Sequence, residues 1–222
     1  MICVSEKAAL QTATAPEFQS ARAAFDKQHY LHLPGFIHPT FLQQILSQLR
    51  TANFVPKSHH GIARELVCWD SPAADALQFV FNDPHLFALI TELTGISPIG
   101  CYVGRIYRMA PSHAHHEDWH DDVGDHRLLA LSVNLSEEPY QGGTTLLRTK
   151  IPTNQQKNPT NLPTTVIQLP NPVPGDALLF RLRPDLEHTI TDVLPGPPKT
   201  AWAGWFKSQP LFLDVLTRHS PL

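Results

Sequence analysis

Residues 113–126 read HAHHEDWHDDVGDH, which puts five histidines, four aspartates and one glutamate into fourteen positions. A histidine and a carboxylate two residues apart can hold a divalent ion from a strand edge, because side chains at that spacing point to the same side. Two such pairs overlap here, His116 with Asp118 and His120 with Asp122. Two imidazoles and one carboxylate on one face of a metal leave neighbouring positions open, which suits Fe(II) working with dioxygen and an oxidisable cosubstrate. The third ligand must then come from another strand. Only His188 and His219 lie downstream, and His219 is in the C-terminal tail. Chance placement yields roughly 0.7 His-x-Asp pairs in a chain of this composition, so neither pair is diagnostic alone.

The elements that must position these residues divide into a helical front and a strand-rich rear. After a polar start, FDKQHYLHLPGFI (25–37) reads as a strand ending at Pro34-Gly35. In TFLQQILSQLR, Thr40 and Gln43 have capping-box spacing and Phe41, Leu42, Ile45, Leu46 and Leu49 form one apolar stripe, which predicts a helix. Further helices are expected from Ser71-Pro72 and from Asp83-Pro84, the latter stopping at Gly95. Between the helix that follows Thr40 and the one from Ser71-Pro72, NFVPKSHHGIARELV reads as a loop or short strand pair able to cover a site.

From residue 99 the period shifts toward two. Strands are expected over 99–109, 127–136, 144–150, 164–169, 176–183, 188–194 and 200–208, with the polar, proline-rich 151–163 as a long hairpin loop. Seven consecutive strands without an intervening helix predict an antiparallel barrel or sandwich. In 127–136, Leu129, Leu131, Val133 and Leu135 alternate with Ala130, Ser132 and Asn134, so the second set is expected to face the barrel interior.

Composition narrows the function classes. A chain of 222 residues, 42% hydrophobic, can bury one sizeable core, so a single domain over 1–222 is expected. The net charge of −3, without a basic run, points away from nucleic acid and anionic membranes. Cys3, Cys68 and Cys101 share no close spacing, which argues against a disulfide framework and for a reducing compartment. The N-terminus shows no leader-like pattern and no apolar run approaches the ~20 residues of a membrane span, so a cytoplasmic protein is expected.

Several segments in order carry a family resemblance: WHDD (119–122), LSEEPYQGGTTLL, VPGDALLF and EHTITDVLPGPPKTAWAGWFKS. Together they resemble the Fe(II)/2-oxoglutarate dioxygenases, particularly the small prolyl-hydroxylase-like group. HYLHLPGFIHPTFLQQIL and FNDPHLFALITELTG are similar to the helical lead-in of that group and of the phytanoyl-CoA hydroxylase-like proteins. The resemblance spans about residues 25–208 and implies a mainly β fold with N-terminal helices. Its core would be a double-stranded β-helix, a cupin-like jelly-roll barrel over about 99–208 behind a lead-in over about 25–98.

The resemblance also chooses between the two pairs, because the family's His-x-Asp follows a bulky residue and closely precedes the strand leading to Gly142-Gly143. It implies His120, Asp122 and His188 as ligands of Fe(II), with 2-oxoglutarate as cosubstrate and O2 as oxidant. Lys199, eleven residues after His188, would take the far carboxylate of 2-oxoglutarate as a compact point charge. The family more often has arginine there. Tyr107 resembles in placement a tyrosine that hydrogen-bonds the cosubstrate, and Asn134 would reach it if its face lines the barrel. Arg105, Arg108, Arg181 and Arg183 read first as paired surface arginines, with binding of a substrate carboxylate as the sharper alternative, and the remaining His/Asp residues of 113–126 read as a solvated loop at the mouth, with contact to ligands or substrate as theirs. Asp122 is present where related halogenases lack it, which favours hydroxylation of an unactivated C–H of a small molecule, an amino acid or a peptidyl residue. A cupin-like metal-binding hydrolase or isomerase would use a similar constellation without needing Lys199, and a non-catalytic binding module would keep the same fold.

Overall fold

The computed structural model describes residues 1–59, 62–111, 115–150 and 165–212. The proposed 151–163 loop, His113 and His219 lie outside them. Two short strands, β1 (Ile2–Val4) and β2 (Ala9–Gln11), open the chain and pair with each other. The helix α1 (Ala15–Gln28) follows, so the expected strand from residue 25 is corrected to β3 (Tyr30–Leu33). Glu17 explains the helix start, its carboxylate accepting the Thr14 N–H at 2.8 Å, and Phe18, Ala21 and Phe25 form its buried face.

Helix α2 (Pro39–Leu49) buries Phe41, Ile45 and Leu49 as its periodicity predicts. Its cap is His38 rather than Thr40, because Pro39 occupies the first turn and the His38 ring accepts the Thr40 N–H. Strands β4 (Val55–His59) and β5 (Ala63–Cys68) form the expected pair. Helices α3 (Pro72–Val80) and α4 (Pro84–Thr94) start where read, with Ser71 Oγ accepting the Ala74 N–H at 3.1 Å and Asp83 Oδ1 accepting the His85 N–H at 2.9 Å. Gly95 ends α4 at φ 70°. No described helix is long and apolar enough to cross a membrane.

The rear is a jelly roll built on β6 (Cys101–Met109), β7 (His116–Glu117), β8 (Arg127–Asn134), β9 (Thr145–Thr149), β10 (Val166–Gln168), β11 (Ala177–Arg181), β12 (Leu186–Ile190) and β13 (Lys199–Lys207). One antiparallel sheet runs β3-β11-β8-β13-β6-β5-β4, with β7 beside β5, and a smaller one runs β10-β9-β12. The long β13 ties the large sheet together, pairing Lys199 with Met109 on β6 and Ala201 with Asn134 on β8. Leu129, Leu131 and Val133 face the main core, where Phe36, Phe81, Tyr102, Trp202 and Phe206 meet the helices. Their neighbours Ala130 and Ser132 turn to a cavity between the sheets, as the alternation predicts. At Gly142, φ is 69° and an added Cβ would stand 2.1 Å from the Asp192 carbonyl, so only glycine fits this entry into β9.

Candidate functional site

The cavity measures about 250 Å³. Its wall includes His120, Asp122 and His188, each delivered differently. His188 lies in the middle of β12, where Leu186 precedes it in the strand, rather than at the strand's start as expected. It is only 6% exposed, and the Phe180 ring lies 4.8 Å away. His120 is bridged to it by a reciprocal backbone pair, with His120 N–H donating to the His188 carbonyl at 3.0 Å and the reverse at 2.8 Å. This close antiparallel pairing sets the two rings 4.2 Å apart. Asp122 reaches the pair because its own backbone turns into the left-handed region at φ 56°, which aspartate tolerates better than most residues.

Asp122 Oδ2 stands 3.7 Å from His120 Nε2 and 3.5 Å from His188 Nε2. Atoms bound to one first-row ion at roughly 2.0–2.2 Å cannot be more than about 4.4 Å apart, so these spacings admit a shared ion. The carboxylate is anchored behind. Arg127 donates to Oδ1 at 2.9 Å, its guanidinium lying 3.7 Å over the Trp205 ring, and Trp205 Nε1 donates to Oδ2 at 2.8 Å. His120 Nδ1 sits 2.7 Å from the Asp118 carbonyl, which assigns the proton to Nδ1 and leaves Nε2 facing the cavity.

The charges hold one another. Burial would lower the His120 pKa, but Asp122, Glu117 and the Asp118 carbonyl together raise it to about 9. Burial would raise the Asp122 carboxyl, yet the two histidines keep it well below the ordinary carboxylate range. A cation held by the triad would take the place of a proton at His120 Nε2, while the Nδ1 proton stays on the Asp118 carbonyl.

A second carboxylate is nearby. Glu117, His120 and His188 bring ligand atoms within 4.8 Å of one another. Sequence spacing overlooked Glu117, since it lies three residues before His120. The signal available was the strand period: Glu117 pairs with Ala63 on β5 and lines the cavity, so His116 and Asp118 alternate to the other side.

Near the start of β13, and not on the cavity wall itself, Lys199 is 5% exposed and donates to the Gly143 carbonyl at 2.7 Å. Burial pushes its pKa down to about 8, with Glu117 opposing. Among the described residues the buried Tyr107 and Tyr140 hydroxyls have no hydrogen-bond partner, and burial raises the pKa of Tyr140 to about 12 and that of Tyr107 well above the ordinary value. A Cβ built on Gly143 would stand 3.0 Å from Lys199 Cδ and 3.2 Å from Tyr140 Cε2, so the lysine and tyrosine flank one glycine.

Other expectations move. Asn134 donates its amide to the Pro172 carbonyl at 2.7 Å and accepts the Ser136 N–H at 2.9 Å, so both ends are spent on the loop and it is absent from the cavity wall. Arg105 is corrected from surface to interior: it lines the cavity and pairs with buried Glu65 at 2.6 Å. Arg108, Arg181 and Arg183 stay elsewhere, on Thr200, Asp26 and Asp185. In the cluster itself Asp121 pairs with Lys150 and Asp125 with Lys207.

Residues 104–207 match the profile of the 2OG-Fe(II) oxygenase superfamily. No curated protein sequence matches the chain. Among solved structures, a 2OG-Fe(II) oxygenase family oxidoreductase from Burkholderia pseudomallei superposes with a TM-score of 0.63 at 12% identity, over 90% of this chain and 95% of that one. A Pseudomonas putida prolyl-4-hydroxylase gives 0.62 at 14%, over 87% and 100%. The α-ketoglutarate-dependent epimerase SnoN of nogalamycin biosynthesis gives 0.61 at 14%, over 94% and 91%. At such identities the likeness is one of fold. The profile match runs from β6 through β13, so the barrel is the part of this chain that is similar to the 2OG-Fe(II) oxygenase superfamily.

Proposed function

We propose that this protein is a dioxygenase that hydroxylates an unactivated C–H of its substrate, with His120, Asp122 and His188 holding Fe(II) and Lys199 holding 2-oxoglutarate. The observation that carries the reading is one carboxylate oxygen, Asp122 Oδ2, lying 3.5 and 3.7 Å from the facing Nε2 atoms of two histidines on a cavity wall. Two imidazoles with one carboxylate suit Fe(II) and leave three positions open. Arg127 occupies Oδ1, which favours ligation through Oδ2 alone and so keeps those positions free.

The cluster of Lys199 and Tyr140 about Gly143, with Tyr107 on the cavity wall, suits the cosubstrate. A buried ammonium with one carbonyl partner and two buried hydroxyls with none among the described residues form a set of donors lacking an acceptor. A carboxylate supplies the acceptor, and unmet buried donors are costly enough to make its binding favourable. The metal and 2-oxoglutarate, when bound, supply the oxidising power: the cosubstrate yields succinate and CO2, and one atom of O2 enters each of succinate and the hydroxylated product. This chain's residues orient the rest. Asp118 fixes the His120 tautomer, Trp205 and Arg127 aim Asp122, and Ala130, Ile190 and Phe180 exclude water. We also take residues 1–222 as one domain, with the helices backing the large sheet.

Anaerobic addition of Fe(II) and then 2-oxoglutarate should give a weak visible charge-transfer band, and admission of air should yield succinate. Absence of the band together with absence of calorimetric 2-oxoglutarate binding to the metal-loaded protein would refute the proposal.

A further inference from the structure

Two oppositely charged side chains face the cavity with their charged ends unused. Arg105 donates Nε to Glu65 Oε1 at 2.6 Å, and the same oxygen contacts His59 Nε2 at 2.8 Å. The guanidinium is further fixed beside the Tyr107 and Trp205 rings, 5.8 and 5.7 Å from their centroids. Held in this way by Nε, it makes no hydrogen bond through its terminal nitrogens to any described residue. Glu117 enters the same cavity from β7, half-buried, and its carboxylate has neither a hydrogen bond nor an ion pair among the described residues. The two do not close on each other. Arg127, the other cation of the wall, is committed to Asp122 and flat against Trp205.

Glu65 already meets the charge of Arg105, so what the cavity leaves open among the described residues is a set of unfilled donors on the Arg105 terminal nitrogens and an unpartnered Glu117 carboxylate, which one ligand with an acceptor and a donor end can fill. The space is about 250 Å³, below the usual range of roughly 300–1,000 Å³ for ligand sites, and on the reading above it must also admit 2-oxoglutarate. What bridges is therefore small, and carries a carboxylate at one end and a cation at the other.

We propose that the substrate is a free amino acid, its carboxylate taken by the terminal nitrogens of Arg105 and its ammonium by Glu117. Arg105 suits the first contact because its planar fork matches a carboxylate in two parallel bonds. Glu117 suits the second because its oxygen lies within 4.8 Å of the ligand atoms of His120 and His188, which sets the carbon chain next to the metal triad. A residue inside a peptide carries neither charged end, so free substrate is favoured over peptidyl. This inference rests on the dioxygenase reading for the identity of the triad.

The test is calorimetric titration of the full protein, loaded with Mn(II) and 2-oxoglutarate under nitrogen so that no turnover occurs, with each of the twenty common L-amino acids. The best binder is then compared with its N-acetyl and its carboxamide forms. At least one free amino acid should bind, and each blocked form should bind tenfold or more weakly, because a blocked end leaves its partner unmet. Glu117→Gln should erase the discrimination against the N-acetyl form and leave that against the carboxamide. Arg105→Gln with Glu65→Gln, which removes both members of the buried pair and so leaves no orphaned charge, should do the opposite.

The idea is overturned if no amino acid binds, if blocked forms bind as tightly as free ones, or if Glu117→Gln lowers the Mn(II) stoichiometry, which would make Glu117 a ligand. The same titrations on metal-free protein read the two charged contacts by themselves. Failure of Mn(II) and 2-oxoglutarate to bind would therefore refute the oxygenase reading separately.

Discussion

Replacing Lys199 by methionine removes a charge while keeping most of the buried stem. In the structure that ammonium is 5% exposed, has one carbonyl partner, and is flanked through Gly143 by Tyr140. A charge-assisted hydrogen bond is worth about 1.5–3 kcal/mol, so 2-oxoglutarate should bind about ten- to hundredfold more weakly to Lys199→Met. Some affinity should survive through the tyrosine hydroxyls. The sign of the pH dependence follows from burial. It lowers the folded pKa to about 8 from an ordinary 10.5, so above about 8 the lysine loses its proton before the cosubstrate arrives. The wild-type dissociation constant should hold steady below that pH and rise about tenfold per unit above it, as binding draws on a shrinking ammonium fraction. In Lys199→Met the curve should be flat across the same window. Calorimetry on Mn(II)-loaded protein between pH 6.5 and 9.5 measures both, with metal content checked at each pH. An unchanged constant in the variant, or a variant curve that still bends near pH 8, would remove Lys199 from the cosubstrate site and direct attention to Arg105.

Bound iron should fall to background in His120→Ala, Asp122→Ala and His188→Ala, and remain stoichiometric in His116→Ala and Asp118→Ala, as metal analysis after desalting will show. Loss in the 116/118 variants with retention in the 120/122 variants would reverse the ligand assignment. Trp205→Phe removes the 2.8 Å bond to Asp122 Oδ2 and should weaken metal binding about ten- to hundredfold without unfolding the protein, measured by competition with a chromogenic chelator. Gly142→Ala should lower the melting temperature by about 2–8 °C or more, since the left-handed backbone costs a side chain about 1–2 kcal/mol before the contact with Asp192 is counted. A melting temperature within a degree of wild type would show that the Gly142 turn relaxes.

The sequence revealed most where one local rule was sufficient. Ser71-Pro72 and Asp83-Pro84 start helices because cap and proline act within four residues, and β8 shows its two faces because the leucines alternate with small residues. The helix α1 was equally readable from Thr14, Pro16 and Glu17, but its many small and polar residues make the apolar stripe thin, and Phe25 was assigned to the strand that follows. The displaced start of β12 has a similar origin. Arg183 and Leu186 close a tight bridge, so the strand begins within a segment that reads as a turn.

Contacts between distant segments were not legible in this way. Arg105 alternates on β6 as a surface residue would, and only the arrival of Glu65, forty residues earlier in the chain, makes its burial tolerable. The competing His-x-Asp pairs show the same limit. Periodicity sets His116 and Asp118 on one side of their strand and Glu117 on the other, but does not say which side is inward. That follows from the pairing of Glu117 with Ala63 on β5 and of His120 with His188, two contacts between segments far apart in sequence. Once β5 lies beside β7, alternation turns His116 and Asp118 away from the cavity. The left-handed turn at Asp122 then returns a carboxylate to the side that Glu117 and His120 already face.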